Sequence, residues 1–294
     1  MKHEIALEPQ LIAMNHDSST ETPPTFDITP PKDWLDLNVR EAWENRELLY
    51  FLVWRDLKVR YKQTAIGIGW VIMQPFFTML IFSFFFGRLA KMPSQGLPYP
   101  VFYYCALLPW MYFATALTNA TNTVVEQEKV ITKVYFPRVL LPLSAVISGL
   151  VDFAVSLVML IIMMTVYHLT PKPTAFLVPV FLLLAIATAL GTGLWLSALN
   201  AIYRDVRYTI PFLVQVWMFA SPVAYPSTLV PERWRWVYGL NPMTGVIEGF
   251  RWSLTGVGQP PSALLLVSSG AVVGLLFGGL IYFKNMEGTI ADRI

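Results

Sequence analysis

The residues best suited to chemistry in this chain are cations set among apolar side chains, in the stretch WRDLKVRYKQTAIGIGWVIMQP from Trp54 to Pro75. Arg55, Lys58, Arg60 and Lys62 are interleaved there with Trp54, Leu57, Val59 and Tyr61. Guanidinium and ammonium groups donate charge-assisted hydrogen bonds to phosphate oxygens, while the rings and aliphatic groups favour the boundary between water and hydrocarbon. Such a segment offers phosphate recognition at a membrane surface. The same cations also fit a plain positive flank that sets topology. A second concentration is EQEKVITKVYFPR, where Glu126, Gln127, Glu128, Lys129, Lys133, Pro137 and Arg138 are mixed with Val130, Ile131, Val134, Tyr135 and Phe136. Apolar groups at helical spacing on so short a polar loop call for a surface that covers them.

Other chemistries find little support. No G-x-x-x-x-G-K-[ST] pattern occurs, so the chain offers no phosphate cradle for a nucleotide of its own. His3, His16 and His168 are too scattered to suggest a metal site, and Cys105 is the lone cysteine, without a disulfide partner in the chain. No Ser/His/Asp arrangement suits nucleophilic catalysis, so the chain is not expected to be an enzyme by itself. Asp152 lies within a long apolar run. A carboxylate there is costly and should face the bundle or a wet cavity, with a structural partner favoured over a proton relay.

The elements that must position these residues are membrane helices. Across 294 residues, 55% are hydrophobic and 14% charged, and the mean hydropathy is +0.52, outside the range of ordinary soluble domains. The polar, proline-bearing residues 1–31 read as a disordered tail without a secretory signal. Residues 32–65 read as cytoplasmic amphipathic interfacial helices, and 66–294 as a six-span transmembrane domain. Apolar runs near 66–86, 101–125, 139–167, 175–199, 209–223 and 263–283 are the candidate spans, the fifth short and bracketed by Pro211 and Pro222. The stretch 224–262 breaks into pieces too short to span and is expected to form an external re-entrant helical hairpin. The fold class is therefore an all-α membrane protein. It has six transmembrane helices, an N-terminal amphipathic interfacial helix, and the hairpin between spans five and six.

Placing both termini in the cytoplasm leaves only Arg88, Lys91, Lys172, Arg233, Arg235 and Arg251 of the 21 Lys and Arg residues outside, which is the favoured orientation. Trp234, Trp236, Tyr238 and Trp252 crowd the hairpin, as interfacial anchors or as flat faces for sugar rings. Glu248 and Arg251, three apart, share a helical face where they can pair. Gly270, Gly274 and Gly278 form a doubled G-x-x-x-G, a surface for close helix approach within the chain or between copies.

The collinear blocks RYKQTAIGIGW, KVYFPRVLLP, YRDVRY, SPVAYP and NPMTGVIEGFRWSLTG together resemble the transmembrane subunit of type-2 ABC exporters that move O-antigen, capsular polysaccharide or teichoic acid. The similarity runs from about Leu48 to the C-terminus. It implies a homodimer resting on two ATPase subunits, which bind ATP and Mg while this chain binds no cofactor. It also implies a cytoplasmic gate around Arg55, Lys58, Arg60, Tyr61 and Lys62, which meets the phosphates of a lipid-pyrophosphate-linked polysaccharide. The coupling loop to the ATPase would be Glu126 to Arg138. The external gate would include Trp234, Trp236, Glu248, Arg251 and Trp252. Trp70, Trp110, Tyr112, Trp217 and Phe219 are the candidate channel aromatics. A bacterial inner membrane is the expected location, with membrane lipids and no nucleic acid as partners. A type-2 exporter of small drugs or lipids shares this fold. An ion-coupled secondary carrier has only Asp152 and the broken hairpin in its favour, and lacks an inverted repeat.

Overall fold

Proline and glycine divide this apolar chain into helices, and the polar side chains left within those helices decide which faces turn inward. The computed structural model describes residues 43–62, 67, 69–133, 136–258 and 263–293. The tail at 1–31 and most of the expected helix from Trp34 to Arg46 lie outside them. Among the described residues the regular elements are all helical. The first is α1, Arg46–Lys62. Next comes α2, Gly69–Phe82, continued by a π-helical stretch, Ser83–Leu89. Then follow α3 (Tyr99–Glu126), the short α4 (Glu128–Ile131) and α5 (Leu140–Val166). A 3-10 turn, Pro173–Leu177, leads into α6 (Val178–Ile202), and α7 (Asp205–Phe219) follows closely. After two more 3-10 turns come α8 (Arg235–Gly239), α9 (Pro242–Thr255) and α10 (Ala263–Arg293).

Among the described residues, five stretches are long and apolar enough to cross a bilayer: Gly69–Leu89, Tyr99–Glu126, Leu140–Val166, Pro173–Ile202 and Ala263–Ile290. The expected fifth span corresponds to α7, whose 15 residues extend only about 22 Å against a hydrocarbon core of about 30 Å. The centre of the bundle is α3, where every residue from Val101 to Trp110 is buried. It packs between α5 and α6, and α9 also lies against it. Apolar side chains on the free faces of α2 and α7, among them Phe77, Ile81, Phe212 and Val216, stay exposed, as lipid or a second copy requires.

Close packing of α6 on α10 depends on glycine, but not on the doubled G-x-x-x-G. A Cβ on Gly191 would lie 2.7 Å from the backbone nitrogen of Leu276, and one on Gly279 would collide with the carbonyl of Gly191. A Cβ on Gly278 would lie 3.2 Å from the ring of Trp195, whereas Gly270 and Gly274 face open space. Helix α10 also outruns its expected end at Phe283. Phe283, Met286 and Ile290 recur at helical spacing, and the first and last are fully packed, so the polar residues between them stay helical.

One side chain, Asn241, ties the two ends of the segment between α7 and α9 together. Asn241 caps α9, its Oδ1 accepting from the Met243 amide at 3.1 Å, with Pro242 in the first helical turn. The same Oδ1 accepts from Trp217 Nε1 at 2.9 Å, and Nδ2 donates to the Ala220 carbonyl and to Ser221 Oγ. The end of α7 is thereby tied to the start of α9. At its other end α9 stops at Gly256, which adopts φ +69.

Candidate functional site

A carboxylate in an apolar helix is stable only beside a cation or a donor, and Asp152 has both. Twelve residues into α5, about 18 Å from its first turn, Asp152 Oδ2 accepts from Arg60 Nη1 at 2.6 Å. The Tyr61 hydroxyl donates to Oδ1 of the same carboxylate. Burial, reinforced by the hydrogen bond to Asp152, pushes the Tyr61 hydroxyl up to about 12, so it stays protonated as the donor. Nearer the start of α1, Asp56 pairs with Arg55 at 2.8 Å and accepts from Ser144 Oγ at 3.4 Å. Contacts therefore advance in the same sense along both helices, so α1 climbs beside α5.

These groups border a cleft of about 1000 Å³ between α1, α2, α3 and α5. Its α3 wall follows one helical stripe, Leu108, Tyr112, Thr115, Asn119, Thr123 and Glu126, about 27 Å long. Facing it on α5 are Ser148, Asp152 and Ser156, each four residues apart. The wall thus grades from an apolar end at Leu108 and Phe153 to a charged mouth at Glu126 and Lys129. Hydroxyls and amides in this arrangement suit a hydrated, hydroxyl-rich ligand, and the arginines suit an anion.

The structure brings together members of three groups that the sequence had kept apart. Arg55, Arg60 and Tyr61 of the basic segment, Trp70 and Tyr112 of the aromatic set, and Glu126, Gln127 and Lys129 of the loop all line this cleft. Lys58 and Lys62 instead point outward and are exposed. Trp110 packs edge-on against Trp217 with ring centroids 6.5 Å apart, and Phe113 lies 5.0 Å from Trp217; Trp110 is buried in the core and Trp217 is half-buried against it. Phe219 is exposed at the end of α7.

The loop after α3 turns its apolar side inward. Ile131 and Phe136 are buried with Leu52 of α1 and with Phe283 and Ile290 of α10, so the chain itself covers much of the face that seemed to need a partner. Glu128, Lys129, Val130 and Lys133 remain exposed, and Tyr135 lies outside the described residues. Two clasps secure the loop. The Arg138 amide donates to Glu287 Oε1 at 3.3 Å and its guanidinium to the Glu287 carbonyl, while Arg207 stands 3.9 Å from Glu126. Pro137 follows Phe136 at the turn into α5.

In the hairpin, Glu248 and Arg251 are turned to different tasks, a correction to their expected pairing. Glu248 Oε1 accepts from the Ser227 amide at 2.9 Å. Arg251, buried, donates to the Pro222 carbonyl at 2.8 Å and lies 3.8 Å over the Phe102 ring. Both thus anchor the segment between α7 and α8 to the bundle. Trp234 and Trp236 are exposed and Trp252 is half-buried.

Thr115, Asn119, Asp56, Glu287 and Asn241 join these residues. The first two stand out in the sequence as polar residues four apart within an apolar helix, and Asn241 as an Asn-Pro pair opening one. The contacts of Asp56 and Glu287 depend on tertiary packing.

Comparison with known proteins agrees with this architecture. The ABC-2 type transporter family profile matches residues 47–255. The chain is 30% identical to the O-antigen export system permease protein RfbA of Myxococcus xanthus over 259 residues, 87% of this chain and 98% of that protein. It is 27% identical to the protein of the same name from Klebsiella pneumoniae over 248 residues, 84% and 94% of the two chains. With the polysialic acid transport protein KpsM of Escherichia coli it shares 22% identity over 247 residues, 81% and 93%. A family match that covers the basic helix, the loop after α3 and the hairpin leads to one conclusion: this chain belongs to the ABC-2 type transporter family.

Proposed function

We propose that this chain is the membrane permease subunit of an ATP-driven exporter. It would carry lipid-linked polysaccharide of the O-antigen kind across the bacterial inner membrane. The observation that carries the reading is the cleft, where arginines able to meet phosphate sit beside a stripe of hydroxyl and amide groups able to meet sugar. The names of the relatives, which describe O-antigen and polysialic acid transport, support the same substrate class. Two copies of the chain assemble with two ATPase subunits, and ATP and Mg are bound there. Both termini face the cytoplasm, and α7 with the turn after it completes a sixth crossing.

The mechanism follows from how the loop is built. The exposed residues Glu128, Lys129 and Lys133 meet the ATPase, and the buried Ile131 and Phe136 pass its movement to α1 through Leu52. Because α1 is a single helix, displacement at Leu52 is felt at Arg60, about 12 Å along its axis. ATP binding thus changes the cleft and opens a path at the protomer interface. Weak contacts to hydroxyls and rings let the polymer advance in steps.

Deletion of the gene, followed by complementation, tests this reading. Wild-type protein should restore surface polysaccharide, and loss of the partner ATPase should abolish it. Normal polysaccharide in the deletion strain, with altered efflux of small lipophilic compounds, would instead favour a drug or lipid exporter.

A further inference from the structure

Both arginines that line the cleft are already held by carboxylates, Arg55 by Asp56 and Arg60 by Asp152. A diphosphate therefore gains a guanidinium there only where a carboxylate gives it up. The Arg55–Asp56 pair joins neighbours on one helix, and separating them leaves both on α1. The Arg60–Asp152 pair is different. It joins two helices, its carboxylate also takes the Tyr61 hydroxyl, and its side chains stay 27% and 23% exposed. Such a pair is open enough to exchange.

We propose that Asp152 acts as a built-in competitor for the phosphate of an incoming lipid-diphosphate headgroup. Arg60 and Tyr61 leave the carboxylate for phosphate as the headgroup enters. The end of α1 is then released from α5, and departure of the headgroup restores the pair. A diphosphate carries more charge and more acceptor oxygens than one carboxylate, so it competes well for a guanidinium fork. Thr115 and Asn119, across the cleft on α3, are placed to take hydroxyls of the first sugar. The proposal rests on the exporter reading and names how that site senses its substrate.

A structural ion pair and an exchanging one respond differently to the loss of each partner. The full-length protein, in phosphatidylcholine nanodiscs, is titrated calorimetrically with farnesyl diphosphate and, separately, with inorganic pyrophosphate. Asp152→Asn should bind farnesyl diphosphate about tenfold more tightly and Arg60→Gln about tenfold more weakly, opposite shifts from the same broken pair. Shifts in the same direction, or none, overturn the proposal. Equal behaviour with pyrophosphate would assign the site to free diphosphate rather than a lipid headgroup and would overturn the headgroup source.

If either single variant fails to fold, two others carry the test. Arg60→Lys keeps the charge but loses the fork, and it should bind several-fold more weakly. The paired change Arg60→Gln with Asp152→Asn should fold and bind poorly. Wild-type affinity in both overturns the proposal. Binding needs no ATPase, so a complex that exports polysaccharide but shows no opposite shifts refutes the exchange alone. Opposite shifts in a protein without ATP-dependent export refute the exporter reading alone.

Discussion

Arg60 reaches Asp152 across 92 positions of sequence and meets its carboxylate at 2.6 Å, joining the last turn of the basic helix to the interior of a membrane span. Each group answers the other's need, because an unpaired carboxylate in an apolar helix and an unpaired guanidinium beside it are both costly. Asp152→Ala should therefore lower stability by about 1–2 kcal/mol, less than for a sealed pair because this one is partly exposed. Arg60→Ala should cost a similar amount, and the two together less than their sum. A double-mutant cycle by thermal unfolding in detergent measures this. Strict additivity would mean that the contact contributes nothing.

Asn241 serves as N-cap and as tie between α7 and α9. Asn241→Ala should cost about 2 kcal/mol or more, since a lost cap alone is worth about 1 kcal/mol. Hydrogen exchange should quicken over residues 242–255. Asn241→Asp keeps the accepting oxygen and should retain the cap while losing the bonds to Ala220 and Ser221. Unchanged exchange in the Ala variant would refute the role.

The glycines of α6 and α10 separate by neighbourhood. Gly279→Ala should destabilise by about 1–3 kcal/mol, because the added methyl meets the backbone of α6. Gly270→Ala and Gly274→Ala face open space and should be neutral, or stabilising by up to about 1 kcal/mol through helix propensity. Melting temperatures of the three variants decide. A large loss at Gly270 or Gly274 would instead reveal a second copy packed on that face.

Phe136 and Lys133 should report different things. Phe136→Ala empties a buried position and should cost about 3 kcal/mol or more, loosening α1 and the end of α10 together. Lys133→Glu, on the exposed side, should leave melting unchanged within about 0.5 kcal/mol while weakening ATPase association. Thermal unfolding and pull-down, run on the same preparations, check both. Loss of folding with Lys133→Glu would contradict the assignment of its face.

Much of this architecture is legible in the residues themselves. Hydropathy and punctuation indicate helices close to those observed, and the cost of a carboxylate in an apolar run correctly requires a partner for Asp152. That the partner is Arg60 is invisible locally, because the two meet only when α1 climbs α5. Phe136 and Ile131 look like docking surface on a loop taken alone, since nothing nearby announces that Leu52 and Ile290 will cover them. Glu248 and Arg251 share a helical turn, yet Phe102 and the Pro222 carbonyl offer the guanidinium a buried place that spacing cannot show. The long end of α10 is readable in hindsight, from apolar residues at helical spacing among charges.

We propose that this chain moves polysaccharide through a partner's ATP hydrolysis, transmitted by the loop after α3. The most direct test is ATP-dependent translocation of lipid-linked polysaccharide in proteoliposomes that hold this chain and its ATPase. Wild type should be compared with Lys129→Glu combined with Lys133→Glu. The account predicts transport that requires ATP and falls at least tenfold in the loop variant, while both proteins melt alike. Transport at the wild-type rate without ATP, or without the ATPase, would contradict it.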